Sequence, residues 1–344
     1  MSALINAFNE QFLLEIIKQP DSTQAAEIIK QADQVRTQTL GATVQLRGLI
    51  EFSSYCRNNC AYCGLRRENR SLPRYRLTPI EIIETAAHGI ALGYRTIVLQ
   101  SGEDLFFTGK MLTEIVKEIK KLGAVVTLSV GEREVKDYEA WRKAGAERYL
   151  MRHETADPIL YQKLHQGQTL SKRIALLYAL KQLDYQVGTG FMVGLPGQTP
   201  ATLLADLQLT KNLAAEMVGI GPFIPHLATP LKEYPAGTTS LTCLMIALTR
   251  LALPYALIPA TTALASINSQ GRELGLAAGA NVVMPNLTPW KYRADYQLYP
   301  DKAISGAEDG ETRQKMIEKI TALGREVSDT SGHHPLWLTR QQGW

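Results

Sequence analysis

The stretch QLRGLIEFSSYCRNNCAYC, residues 45–63, joins a short apolar segment to a loop that holds three of the chain's four cysteines. The apolar segment 45–52 predicts a β-strand. Cys56, Cys60 and Cys63 follow it within eight residues, a spacing that lets three thiolates surround one small volume. Three thiolates can bind three irons of a four-iron cluster and leave the fourth iron free to bind another molecule.

Two other interpretations of this cysteine loop are weaker. A disulfide framework favours an even, dispersed set of cysteines and an oxidising compartment, whereas these three lie close together with no secretory signal ahead of them. A structural zinc site needs a fourth ligand, and the nearest downstream histidine, His88, lies in a predicted helix. Cys243 lies in the apolar helical stretch 241–253 and is predicted to be a small buried hydrophobic residue.

The order of the predicted elements decides the fold class. With 344 residues, 45% of them hydrophobic, the chain could form two ordinary domains or one large α/β barrel. From residue 45 onward, short β-branched runs alternate with helical patterns, which favours repeated βα units around a parallel sheet. The predicted strands are 45–52, 96–100, 125–129, 148–151, 187–193, 217–220, 258–261 and 281–284, and the main helices between them are 79–92, 112–122, 136–144, 171–183 and 200–213.

Eight such strands predict an α/β fold with a complete (βα)8 TIM-type barrel over residues 45–290. Residues 1–44 are predicted to form an N-terminal cap of two or three helices. Residues 291–344 are predicted to form a C-terminal extension with one helix near 312–323. We therefore expect the chemistry at the carboxyl ends of the strands, where barrels of this type place it.

Charge and hydropathy exclude two classes of partner. The formal net charge of +4 is small for this length and the basic residues are dispersed, so no nucleic-acid surface is predicted. No apolar run reaches membrane-spanning length and no targeting leader is evident. We expect a cytoplasmic protein that does not bind a membrane.

Unusual polar strings follow the predicted strands. Because the carboxyl ends of parallel strands meet on one face, we expect these strings to gather there with the cysteine loop. Taken singly, their charged residues could be solvated surface groups, and their amides and hydroxyls could simply satisfy strand ends. The strings are QSGED at 100–104, SVGE at 129–132, RHE at 152–154, GTGFMVGLPG at 188–197, GIGPFIPH at 219–226 and PATT at 259–262.

These motifs together resemble the radical S-adenosylmethionine (SAM) superfamily, through the CxxxCxYC loop, the SGE string at 101–103 and the glycine-rich segment after the fifth strand. Within that superfamily the chain is similar to the HydE family of [FeFe]-hydrogenase maturases over roughly residues 45–300. The strings that carry this closer resemblance are 57–67, 97–104, 152–155, 192–199, 218–226 and 258–262.

The resemblance implies a site for two cofactors. Cys56, Cys60 and Cys63 would hold a [4Fe-4S] cluster whose open iron binds SAM. Arg173 would meet the carboxylate of SAM, and Glu154 would bind its ribose hydroxyls or its ammonium group, two options that the sequence leaves open. The other positions implied for cofactor binding are Tyr62, Gln100, Glu103, Ser129 and Met192.

The resemblance also implies a substrate and partners. In the family, a 5′-deoxyadenosyl radical acts on a cysteine-bound iron carbonyl cyanide unit that comes from the maturase HydG. Transient partners would be HydG, HydF and a reduced electron donor. Arg148, Thr261 and Thr262 are the predicted substrate contacts, and His226 could be structural or face the substrate.

Two alternatives of different kinds stay open at this point. The chain could be a methylornithine synthase or another radical SAM enzyme that acts on an amino acid, or it could be a non-catalytic iron–sulfur carrier. A biotin synthase is disfavoured because its second cluster needs further cysteines. Residues 296–315, where some HydE proteins carry a second cluster, contain no cysteine, so none is expected here.

Overall fold

The computed structural model describes residues 9–300 and 309–342. The five main predicted helices are present as α3, α4, α5, α7 and α8, each within three residues of its predicted bounds. The helices are α1 Glu10–Lys18, α2 Thr23–Leu40, α3 Pro79–Ala91, α4 Gly109–Lys121, α5 Val135–Lys143, α6 Pro158–Leu164, α7 Leu170–Gln182, α8 Pro200–Asn212, α9 Thr239–Ala252, α10 Thr262–Ile267, α11 Gly271–Ala277, α12 Trp290–Arg293, α13 Asp309–Ala322 and α14 Pro335–Gln342.

The strands form two parallel sheets. Six consecutive strands, β2 to β7, pair in chain order, and each is followed by at least one helix before the next begins. A smaller sheet has the order β8-β1-β9. The strands are β1 Thr43–Leu46, β2 Gly48–Ser53, β3 Thr96–Ser101, β4 Val125–Ser129, β5 Ala146–Leu150, β6 Gln186–Val193, β7 Met217–Pro222, β8 Val282–Val283 and β9 Glu326–Val327.

The ladders of the described residues do not show the complete eight-stranded barrel that the sequence predicts. In place of the predicted strand 258–261 there are single parallel bridges, from Leu257 to Met217 and from Pro259 to Val282. Pro259 has no N–H to donate, so a regular ladder cannot run through it. The predicted strand 45–52 is also divided between the two sheets, with its break at Arg47.

Aromatic packing between α5 and β5 positions one loop of the site. Trp141 stacks on Tyr149, with ring centroids 6.2 Å apart, and Tyr138 meets Tyr149 edge to face at 4.9 Å. The Tyr149 hydroxyl donates to the carbonyl of Gly131 (2.7 Å), and the Tyr138 hydroxyl accepts from the N–H of Arg133 (2.9 Å). The buried core therefore fixes the loop that follows β4.

The C-terminal segment packs at the amino ends of the strands. Strand β9 pairs with β1, and the guanidinium of Arg148 donates to the carbonyls of Ser331 (2.8 Å) and Gly332 (2.7 Å). Cys243 is buried in α9, as predicted. Of residues 296–315, where no second cluster is expected, 301–308 lie outside the described residues. None of the described helices is both long and apolar enough to cross a bilayer.

Candidate active site

A cavity of about 290 Å³ lies at the carboxyl ends of the strands. Strand ends and the loops after them supply most of its wall, and residues 296–299 close another side. The residues that line it are Tyr62, Cys63, Gln100, Ser101, Ser129, Gly131, Leu150, Met151, Arg152, Glu154, Arg173, Met192, Pro222, Phe223, Ile224, Ala263, Tyr296, Leu298 and Tyr299.

One end of the cysteine loop is held by the buried carboxylate of Glu103. Glu103 Oε1 accepts from Arg57 Nε (2.6 Å), and its Oε2 accepts from Asn58 Nδ2 (3.0 Å) and from the N–H of Glu132 (2.9 Å). The N–H of Glu103 lies 3.3 Å from Cys56 Sγ, in position to donate to it. Glu103 thus ties the cysteine loop to the loops after β3 and β4.

Close packing explains the glycine before Glu103. A Cβ at Gly102 would lie 2.2 Å from the carbonyl oxygen of Tyr55 and 2.9 Å from Cys56 Cβ. No side chain fits there without moving the cysteine loop, so the string SGE is a packing requirement as well as a source of polar groups.

The other end of the loop is held by the turn after α6. Tyr62 Oη lies 2.9 Å from His165 Nε2, and His165 Nδ1 lies 3.1 Å from the carbonyl of Tyr161. Because Nδ1 faces a carbonyl, it carries the proton and Nε2 accepts from Tyr62. Burial lowers the pKa of His165 to about 3, so the imidazole is neutral at physiological pH.

Burial raises the pKa of the three thiols, and repulsion from the neighbouring cysteines raises it further at Cys60 and Cys63. The pKa of Cys60 rises to about 12, that of Cys63 lies well above its ordinary value, and that of Cys56 is also raised. In the described part of the chain, no three histidine, cysteine or carboxylate side chains converge to hold one metal ion. A four-iron cluster is bound differently, because each thiolate binds a separate iron.

Glu154 has a strained backbone and a buried carboxylate oxygen that makes no hydrogen bond. Its φ of 67° is left-handed, although it is not glycine. The strand β6 holds it there, since the N–H of Glu154 donates to Gly190 O (3.0 Å) and its carbonyl accepts from the N–H of Met192 (3.1 Å). Glu154 Oε2 lies 3.0 Å from Arg152 Nη2, but both atoms are buried and neither makes a hydrogen bond.

Arg173 reaches the cavity with its guanidinium already fixed. Its Nε donates to Glu132 Oε1 (2.8 Å) and its Nη1 to the carbonyl of Arg152 (2.7 Å). Lys172 Nζ also contacts Glu132 Oε2 at 3.0 Å. These cations lower the pKa of Glu132 against the effect of its burial. The cavity therefore presents a cation and an acid, Arg173 and Glu154, on one wall.

The structure brings most of the predicted site residues together. Tyr62, Cys63, Gln100, Ser129, Glu154, Arg173 and Met192 line the cavity, whereas Glu103 lies behind it. Thr261 caps α10 through its hydroxyl, and Thr262 begins that helix, next to the cavity residue Ala263. His226 packs against Gly64, whose Cβ would lie 2.6 Å from the ring.

The structure does not bring Arg148 to the cavity. It lies earlier along β5 than the cavity residue Leu150, and its guanidinium bonds to the C-terminal carbonyls described above. Arg148 therefore makes a structural contact at the amino ends of the strands, instead of lining the cavity where the substrate contact is predicted.

Sequence reasoning missed several residues of the wall. Arg152 stands in the string RHE, from which only Glu154 is predicted as a site residue. Tyr296 and Tyr299 come from the predicted extension, and Gln100 Nε2 approaches Tyr296 Oη at 3.4 Å. The tyrosine-rich string 296–299 is the available signal, but nothing local shows that it folds back onto the cysteine loop, where Gly64 N donates to Leu298 O (2.9 Å).

Comparison with known proteins identifies the family. Residues 50–210 match the radical SAM superfamily. The chain is 48% identical over 319 residues to the [FeFe] hydrogenase maturase subunit HydE of Thermotoga maritima, a match that covers 93% of this chain and 92% of that protein. The chain belongs to the HydE family of the radical SAM superfamily.

Other relatives of this HydE-family chain share its fold. It is 33% identical over 261 residues to 3-methylornithine synthase of Methanosarcina barkeri, across 75% of this chain and 73% of that protein. A crystal structure of methylornithine synthase superposes with a TM-score of 0.81 at 25% identity, covering 95% of this chain and 96% of that one.

HydE-family membership implies a [4Fe-4S] cluster and SAM, and the residues present fit both. Three cysteines share one fixed loop. The cavity beside it holds buried polar atoms without hydrogen-bond partners, namely Ser101 Oγ, Arg152 Nη2 and Glu154 Oε2. Buried polar atoms that make no hydrogen bond are costly, so a ligand with both acidic and basic groups, such as SAM, would satisfy them.

Proposed function

We propose that this HydE-family protein cleaves SAM reductively and acts in the assembly of the [FeFe]-hydrogenase active site, on a cysteine-bound iron carbonyl cyanide precursor. The observation that carries the proposal is the 48% identity to Thermotoga maritima HydE over 93% of the chain. When bound, the cluster would supply an electron and SAM would supply the 5′-deoxyadenosyl radical.

The chain's own residues would bind and orient the cluster and SAM and would enclose them. Cys56, Cys60 and Cys63 would hold the cluster, and Glu103 would fix their loop from behind. Arg173, held by Glu132, is oriented to meet the carboxylate of SAM. Glu154 Oε2, which makes no hydrogen bond within the chain, would meet the ammonium group or the ribose hydroxyls of SAM.

The remaining wall would orient the adenosyl part and exclude water. Tyr62, Gln100 and Ser129 offer polar groups, and Met192 offers an apolar surface. We assign Thr261 and Thr262 to the substrate because they come immediately before the wall residue Ala263 in the chain. A dry cavity protects a radical from side reactions.

We further propose that the two sheets act as one closed eight-stranded barrel. Backbone hydrogen bonds support this, because they continue from β7 through residues 257–260 to β8 and on to β1 and β2. They are Val218 N to Leu257 O (3.1 Å), Ala260 N to Val282 O (2.9 Å), Gln45 N to Asn281 O (2.9 Å) and Leu287 N to Leu49 O (2.7 Å).

The proposed setting follows from the same family. HydG would supply the precursor, HydF would be a transient partner, and a reduced donor would supply the electron. A reducing cytoplasm suits the free cysteines of the loop.

The test begins with the cysteines. After anaerobic reconstitution, Cys56→Ala, Cys60→Ala and Cys63→Ala should each abolish the four-iron EPR signal and the release of 5′-deoxyadenosine, while Cys243→Ala keeps both. Normal cluster loading in Cys60→Ala would contradict the ligand assignment. A cluster that loads normally but never cleaves SAM would favour a carrier.

Complementation then tests the pathway. The gene should restore active [FeFe]-hydrogenase in a host that supplies the other maturases but lacks HydE. Thr262→Val should reduce this restoration while the cluster and SAM binding stay intact. Failure to complement, together with conversion of lysine to methylornithine by the purified protein, would replace the proposal with a methylornithine synthase.

A further inference from the structure

The protein surface at the cysteine loop combines exposed apolar side chains with an excess of positive charge. Tyr55, Leu105 and Phe106 are 37%, 52% and 53% exposed. They form one patch, because the guanidinium of Arg76 lies 3.8 Å from the Tyr55 ring centroid and 4.5 Å from that of Phe106. Clustered exposed aromatic and aliphatic side chains mark interaction surfaces.

The charge comes from the cysteine loop itself. Residues 55–76 contain six arginines, no lysine and a single acid, Glu68. Three of these arginines are balanced by nearby acids, in the pairs Arg57–Glu103, Arg66–Glu68 and Arg76–Asp104.

The other three arginines, Arg67, Arg70 and Arg74, form no ion pair with any residue that the structure describes. Arg74 instead donates to backbone carbonyls, among them that of Leu65 at 3.0 Å. Arg67 and Arg70 are exposed. The Arg67 N–H donates to the carbonyl of Asn58 (2.8 Å), which places Arg67 beside the cysteines. The exposed surface of the loop thus carries two uncompensated positive charges, at Arg67 and Arg70.

We propose that this cysteine-loop face, made of Tyr55, Leu105, Phe106, Arg57, Arg67 and Arg70, docks a small acidic redox protein that reduces the cluster. The inference rests on the proposed function, since only an enzyme that consumes electrons needs such a donor. One electron leaves the donor, which is oxidised, and enters the cluster, which is reduced. Tyr55 is the sequence neighbour of the ligand Cys56, so a protein seated on the patch lies next to a cluster thiolate.

The features of the face match what brief electron-transfer encounters need. Such encounters bury small areas and depend on charge complementarity for their association rate. Opposite charges can raise association rates by factors of about 10 to 1,000, and salt suppresses the effect. Exposed apolar side chains and unpaired arginines on the same cysteine loop and its neighbour therefore fit an acidic donor that binds, transfers its electron and leaves.

The test measures reduction of the reconstituted, full-length protein by stopped flow at low ionic strength, with a reduced acidic ferredoxin as the probe. The variant Arg67→Glu/Arg70→Glu should be reduced at least tenfold more slowly than the wild type. Added salt should slow the wild type and narrow this difference. Photoreduced deazaflavin, a small uncharged reductant, should reduce both proteins at the same rate.

A matched control makes the same change of charge elsewhere. Lys30→Glu/Lys121→Glu places its reversals on α2 and on the end of α4 that leads into the amino end of β4. This control should react with ferredoxin like the wild type. Equal ferredoxin rates in the wild type and in Arg67→Glu/Arg70→Glu, or an equal loss in the control, would overturn the proposal.

Two further measurements distinguish the docking of a donor from self-association and from a loss of SAM cleavage. A wild-type dimer that the Arg67→Glu/Arg70→Glu variant dissociates, seen by light scattering, would assign the face to a second copy of the chain and also overturn the proposal. Release of 5′-deoxyadenosine with deazaflavin tests the proposed function without the docking face. Failure of the docking proposal is therefore distinguishable from failure of the proposed function.

Discussion

Glu154 shows how a single residue can be held in an unfavourable conformation for use. A left-handed backbone costs a residue with a side chain about 1 kcal/mol or more. Two backbone hydrogen bonds to β6 hold Glu154 in this conformation. Two residues further along the chain, the N–H of Ala156 donates to the buried carboxylate of Asp206 (2.5 Å). Such strain persists only where the surroundings enforce it, and here it directs a carboxylate at the cavity.

The strain and the charge of Glu154 can be separated by two substitutions. Glu154→Ala and Glu154→Gly both remove the carboxylate, so the dissociation constant for SAM should rise at least tenfold in each, since losing a buried charged contact costs about 2–5 kcal/mol. Only glycine relieves the left-handed strain. Chemical denaturation should therefore find Glu154→Gly about 1 kcal/mol more stable than Glu154→Ala. Unchanged SAM affinity in both variants would contradict a contact between Glu154 and SAM.

Arg173 is expected to matter for stability as well as binding. Arg173→Ala leaves the buried Glu132 with only the exposed Lys172 as an ionic partner among the described residues. Breaking a buried pair costs about 3–5 kcal/mol, and Lys172 should offset part of this loss. Adding Glu132→Gln removes the buried charge, so the double variant should regain much of the lost unfolding free energy. It should still bind SAM weakly, and recovery of SAM binding in the double variant would argue against a contact between Arg173 and SAM.

At the scale of elements, the cysteine loop depends on space reserved by its neighbours. Gly102→Ala forces a methyl group to within 2.2 Å of the Tyr55 carbonyl, so the loop must shift away from β3. We expect a clear loss of iron and sulfide after reconstitution. Gly219→Ala is the matched control, because its methyl group would find its nearest neighbour at 3.7 Å. Equal iron content in the two variants would contradict this account of the loop.

The strands show what sequence patterns can and cannot predict. The run 125–129 is predicted with its observed bounds, because β-branched residues flanked by a glycine and a polar string leave little ambiguity. The run 258–261 has the same apolar character, but Pro259 lets it form only isolated bridges. The break at Arg47 depends on how the chain divides between two sheets, which no local pattern shows.

At the scale of the whole molecule, three histidines held away from water should make stability depend on pH. Burial lowers the pKa of His165 to about 3 and those of His333 and His334 to about 4. In the unfolded chain these three histidines take up protons near pH 6.5, whereas in the folded chain they do so only at about pH 3–4. The free energy of unfolding should therefore fall as the pH decreases through this window. Each histidine contributes up to about 1.4 kcal/mol per pH unit.

Denaturation between about pH 5 and 6.5 isolates this effect, because the carboxylates with lowered pKa, such as Glu132, lose their contribution only at lower pH. His165→Gln should make the dependence on pH shallower. The exposed His88→Gln serves as the control and should leave the slope unchanged. A wild-type stability that is flat across this range would contradict the burial of neutral imidazoles.

The site is predictable where it is local and unpredictable where distant segments meet. Cys56, Cys60 and Cys63 and the polar strand ends lie in short motifs, so the sequence locates them. Tyr296 and Tyr299 reach the same cavity from more than 230 residues after the cysteines, through packing that periodicity cannot express. The same reason explains why the sequence predicts Arg148 in the wrong place. A strand pattern does not show that its guanidinium contacts carbonyls of the C-terminal segment.

The wall formed by Tyr296, Leu298 and Tyr299 has a consequence for biosynthesis. All three cysteines leave the ribosome some 230 residues before this wall does, so a nascent or prematurely terminated chain could take up iron but would have no enclosed chamber. Such a chain would lack part of the surface that retains SAM and shields a radical. The order of synthesis therefore delays reactivity until residues 296–299 have been made, which spares the cell a leaky source of radicals.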